Sequence, residues 1–261
     1  MQIMFSVNKP MARWLAEPQA LPIMTASTLN STIIADEEQT AAIGTVPLLS
    51  NSQQSSWQCS VMEHPASDER YTVIMVEAYS RYTILIPYQS RPSLYTLETD
   101  FIARWLEDMT RFGVASGRLK RDQVNQLFQQ FMSHQRDFHW YQNCDMSLQG
   151  HVVDAECSLM NMLVDAGQSF LSAGRAETMA QYLNAGDRTA AKGQAASLDS
   201  FLPVERFLQD ALFRFAQGMA AQPYAVNAEG NFADPYIDQP TQSGQVKDNV
   251  VGIGRFGQTE N

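Results

Sequence analysis

The sequence predicts an α+β fold: an antiparallel sheet meander packed against helices, with a C-terminal helical extension and a flexible tail. Three observations carry that expectation. Short runs dense in β-branched and aromatic residues are crowded between Trp57 and Ile86. Apolar stripes at helical spacing follow from Phe101 to Phe170. Small and polar residues then take over around one last amphipathic stretch.

Gln2 to Val7 alternates weakly and reads as a short strand, and Pro10 to Leu15 opens a helical turn. Residues 16–56, rich in Ser, Thr, Ala, Gln and Pro, read as a long loop or insertion. Trp57 to Met62, Tyr71 to Glu77 and Arg81 to Ile86 form the meander, with turn-like breaks between them. In its middle strand Val73, Met75 and Glu77 share one face and Thr72, Ile74 and Val76 the other, so both faces should be covered.

Helices supply that cover. Phe101, Ile102, Trp105, Leu106, Met109 and Phe112 make one stripe, with Ser93 or Thr96 as N-cap and Gly113 as the stop. Val124, Leu127, Phe128 and Phe131 make a second, and Phe138 to Tyr141 a short strand. Val152, Val153, Leu159, Met160, Leu163 and Phe170 mark a third helix ending before Gly174. The domain is therefore expected over residues 1–172 and a linker over 173–200. A docking helix at 201–220 is carried by Val204, Phe207, Leu208, Ala211, Leu212, Phe215 and Met219, with a flexible tail at 221–261.

A formal charge of −10, with 14 Arg against 4 Lys, argues against broad binding to nucleic acid or anionic membrane. Nucleic acid is left only a local patch around Arg111–Arg121. Three cysteines at irregular spacing make no disulfide framework and point to a reducing, cytoplasmic setting. No stretch reads as a leader or a membrane span.

Chemistry-bearing side chains concentrate in one place. His134, His139, Cys144, His151 and Cys157 fall within one short stretch, interleaved with carboxylates. His139, Cys144 and His151 are the set that could hold zinc, although their spacing forms none of the close ligand pairs of structural sites, and no other cofactor is expected. Cys144 beside His139 or His151 also has the composition of a nucleophile with its base. Arg118, Lys120 and Arg121 offer an anion site if a helix starts near Ser116. Gly252-Ile-Gly-Arg-Phe-Gly257 spells a dinucleotide fingerprint without the helix such a loop needs. Val250, Val251, Ile253 and Phe256 read instead as apolar anchors of a partner-binding peptide.

Two resemblances add to this. Glu63, Asp68 and Glu77 with Val76-Glu-Ala-Tyr-Ser-Arg-Tyr82 are similar to the first strands of transposase and integrase cores, which implies carboxylates around divalent metals. The N-terminal strand, the Trp57 to Pro87 meander, the helix ending at Phe112-Gly113 and Asn143-Cys-Asp-Met-Ser-Leu-Gln-Gly150 resemble a family of uncharacterised bacterial and archaeal α+β proteins. There Asn-Arg stands in place of Cys144-Asp145 and Ser in place of His151, and the resemblance implies no metal chemistry.

The leading expectation is a cytoplasmic, non-enzymatic interaction or regulatory protein that binds a protein partner through its C-terminal helix and tail. The alternatives are a metal-dependent nucleic-acid hydrolase or phosphotransfer enzyme, and an acidic mimic that blocks a nucleic-acid-binding protein.

Overall fold

A computed structural model of the chain describes residues 1–15, 21–25, 28, 44–64, 70–191, 198–224 and 226–237. Its centre is a five-stranded mixed sheet in the order β4-β3-β2-β1-β5. The strands are β1 (Gln2–Val7), β2 (Gln54–Glu63), β3 (Tyr71–Glu77), β4 (Thr83–Tyr88) and β5 (Asp137–Gln142). As expected, β2, β3 and β4 form an antiparallel meander. Flanking it, β1 pairs in parallel with both β2 and β5. Parallel neighbours need long crossovers, and the chain supplies them through residues 8–53 and 89–136. Strand β1 is thus interior, and Ile3, Phe5 and Val7 are buried on one face while Met4 and Ser6 are buried on the other.

Six helices lie among the described residues: α1 (Lys9–Leu15), α2 (Leu94–Ala115), α3 (Val124–Ser133), α4 (Met146–Asp165), α5 (Ala173–Ala185) and α6 (Pro203–Phe215). None of the described helices is long and apolar enough to cross a membrane. The two sheet faces divide the core as the alternation in β3 predicts. Val73 and Met75 pack with the side chains of α1, α2, α3 and α6. Ile74 and Val76 pack with those of α4, α5 and the extended segment 44–50.

The first face is an aromatic stack. Trp57 meets Phe101 and Trp105 at ring-centroid distances of 4.9 and 5.8 Å, and Trp105 meets Phe215 of α6 at 5.3 Å. These contacts are edge-to-face or near it, the arrangement that ring quadrupoles favour. Ser93 caps α2 by accepting from the Thr96 amide. Gly113 does not stop that helix, which runs on to Ala115. It gives room instead: a Cβ there would lie 2.8 Å from Leu119 Cδ1.

Several boundaries differ from expectation. The 173–200 stretch is no bare linker, because it holds α5 and the two strands of a small hairpin, β6 (Arg188–Ala191) and β7 (Leu198–Phe201). Helix α6 docks on its own domain: Phe207, Leu208, Ala211, Leu212 and Phe215 are buried in the aromatic core. Its apolar face was legible, but only the fold showed what it covers. Within the expected tail, residues 226–237 are tied down as well, with Phe232 packed on that core and Tyr236 bonded to Asp210. Within the expected 16–56 loop, Met24, Val46 and Leu48 are buried and pack on the second face.

Candidate functional site

The predicted metal set is not assembled. Among the described residues no three His, Cys, Asp or Glu side chains are grouped to hold a metal. His139 lies on the outer strand β5 and bonds Asp137 at 2.9 Å. Cys144 follows that strand and meets Gln149 Oε1, while His151 lies within α4. Burial, with the Asp145 charge beside it, pushes the Cys144 thiol up, the opposite of what an activated thiolate requires. His134 closes α3 through its ring nitrogen on the Gln130 carbonyl, and its ring stands edge-on to Phe215.

The carboxylates of the integrase-like segment are likewise apart. Glu63 pairs with Tyr71 at one end of the β2–β3 ladder and Glu77 with Trp57 at the other. Six residues of strand separate them, about 20 Å at ~3.3 Å per residue. Asp68 lies outside the described residues, as do the apolar anchors Val250, Val251, Ile253 and Phe256. The basic group is divided. Arg118 pairs with Glu205 of α6 and stacks over Tyr224, while Lys120 and Arg121 are exposed at a single 3₁₀ turn, Arg121–Gln123. No helix start near Ser116 gathers the three around an anion, because α2 ends there.

Two buried polar networks lie among the described residues. Glu77 is buried on the aromatic face and accepts from Ser50 Oγ, the Tyr79 and Ser80 amides and Ser80 Oγ. These bonds shape the turn into β4, where Arg81 sits at φ 58°, a left-handed conformation uncommon outside glycine. Burial, then the charge of Asp210, raises the Glu77 carboxyl, and the Ser50 and Ser80 bonds oppose that rise. Beyond it, Arg214 bonds Asp210 at 2.8 Å, the Tyr236 hydroxyl and the carbonyls of Asn51, Ser52 and Gln54. Asp210 and Arg214 stand four residues apart inside an apolar helix, a spacing that makes them neighbours and was the available sequence signal for this site.

The second network lies under α4. Asn143 accepts from the Val46 amide and donates to its carbonyl, both at 2.8 Å, so one side chain imitates a strand partner. Asp145 accepts from the Leu48 amide and caps α4 through Ser147 and Leu148. Gln58 completes it by accepting from the Asp145 amide and Ser6 Oγ. All these acceptors and donors are spent within the fold, so the network holds the 44–50 segment and the helix start rather than a ligand.

What the surface offers is a groove of about 500 Å³ lined by Leu106, Thr110, Arg111, Val124, Phe128 and Glu177. It forms because the α3 stripe is wider than its contact: Leu127 and Phe131 turn inward, leaving Phe128 exposed and Val124 half-exposed beside Leu106. Arg111 bridges buried Asp108 and the Glu177 carboxylate across the groove, and Glu107 stands at its rim. Comparison of the chain with protein families, curated proteins and solved structures finds no match.

Proposed function

We propose that this chain is a non-enzymatic, cytoplasmic interaction or regulatory protein, and that the groove between α2, α3 and α5 receives a basic amphipathic segment of a partner protein. The groove carries the reading: apolar Leu106, Val124 and Phe128 form its floor, Glu107 stands at its rim, and the Arg111–Glu177 pair crosses it. Apolar anchors set in a polar rim are the ordinary anatomy of a helix-in-groove contact. The net charge of −10 favours a basic partner by steering its approach. Helix α6, the first expectation for this role, has its apolar face committed to its own core.

The test is cross-linked capture in the native cell with the tagged full chain, beside a Thr110→Arg/Phe128→Asp variant. The wild type is expected to hold a basic protein in a salt-sensitive manner. The variant should lose it while melting within a few degrees of the wild type. Capture that survives both substitutions removes the groove from the reading, capture indifferent to salt removes the basic partner, and no capture by the wild type overturns the proposal.

A further inference from the structure

We infer that this protein self-associates through the outward face of α4, two copies packing antiparallel about a two-fold axis. Helix α4 carries two apolar seams. The inner one, Leu148, Val152, Ala155, Leu159 and Leu163, is buried against the sheet. The outer one runs Met146, Gly150, Val153, Cys157, Met160 and Val164, alternating steps of four and three residues, and every member is exposed. Met146 and Val164 at its ends are each 71 % exposed. That alternation is the spacing of a coiled-coil seam, and it runs about 27 Å at ~1.5 Å per residue.

The occupant follows from two features. First, the seam is complementary in size to its own reverse. Antiparallel pairing sets Met146 against Val164, Gly150 against Met160 and Val153 against Cys157 of the second copy, so each layer joins a larger side chain to a smaller one. Parallel pairing would set Gly150 against Gly150 and Met160 against Met160, a hole and a clash. Second, Gly150 makes room for nothing among the described residues of its own chain. It sits within a helix, where glycine costs about 1 kcal/mol relative to alanine, yet a Cβ there would meet nothing within 4 Å. A close approach by the second copy's Met160 gives that glycine a use.

A single helix–helix contact lies at the small end of specific interfaces, below about 1,200 Å², so the pair is expected to be reversible.

Sedimentation equilibrium on the full chain is expected to show a reversible dimer. Gly150→Leu should weaken it at least about tenfold while raising the melting temperature of the monomer, because leucine is the better helix former. That opposite movement separates loss of the interface from damage to the fold. In a Cys144→Ser background, Val153→Cys should form an intermolecular disulfide with Cys157 on air oxidation, and Cys157 alone should form it poorly. A wild type that stays monomeric, a dimer unmoved by Gly150→Leu, or a dimer that Cys157 alone cross-links efficiently would each overturn the proposal.

Discussion

At the residue scale, the most consequential side chains are polar ones held where water does not reach. Glu77 is the clearest case. Its raised carboxyl means that the folded chain holds the proton more tightly than the unfolded chain does. Its contribution to stability is therefore fully present below the ordinary carboxylate value and is lost as pH rises from there through the folded-state value. Glu77→Gln should remove that decline, so the stability of the variant relative to wild type should grow from pH 4 to pH 8 in urea titrations. Glu77→Ala strands the Tyr79 and Ser80 amides and should cost about 3 kcal/mol. Parallel pH profiles for wild type and the Gln variant would mean that Glu77 titrates alike in both states.

At the element scale, the outer strand β4 shows how one side chain can finish a sheet. Asn184 of α5 accepts from the Thr83 amide at 2.7 Å and donates to the Thr83 carbonyl at 2.8 Å, capping an edge that would otherwise present free backbone groups. Asn143, just after the opposite edge strand β5, does the same for Val46. Asn184→Leu should cost about 2–4 kcal/mol, because it leaves a buried amide and carbonyl unpaired, and it should speed hydrogen exchange at Thr83 far more than at β1. Equal protection at both strands would show that the edge does not depend on the asparagine.

At the scale of the whole molecule, helix α6 and the described residues that follow it are structural. Phe207, Leu208, Leu212 and Phe215 are almost wholly buried against the sheet and its helices. Each such side chain contributes about 1.5–3 kcal/mol of burial, so removing α6 takes away an amount comparable with the ~5–15 kcal/mol stability of a whole domain. A chain cut after Ser200 is expected to lose its cooperative thermal transition by circular dichroism. One cut after Ile237 should keep it, since Phe232 and Tyr236 remain. A cooperative melt for the shorter chain would make α6 an accessory after all. Deletions meant to test the tail anchors therefore have to begin after residue 237.

By itself the sequence determined most of the elements, though not α5 or the β6–β7 hairpin, and several of their faces. Alternation in β3 and the stripes of α2, α3 and α6 record local periodicity, and periodicity survives without knowledge of partners; the stripe expected for α4 instead mixes buried Val152, Leu159 and Leu163 with exposed Val153 and Met160, and Phe170 lies beyond that helix. The α+β class, the Ser93 cap and the two-sided burial of the meander were legible for that reason. Only the tertiary structure decided which faces meet. It placed β1 in parallel between β2 and β5, turned α6 inward, made Gly113 a contact for Leu119, kept His139, Cys144 and His151 from forming a metal group, and joined Glu77 to the neighbourhood of Asp210 and Arg214. Such pairings depend on chain crossovers and on the satisfaction of buried polar groups, which no spacing along the chain encodes.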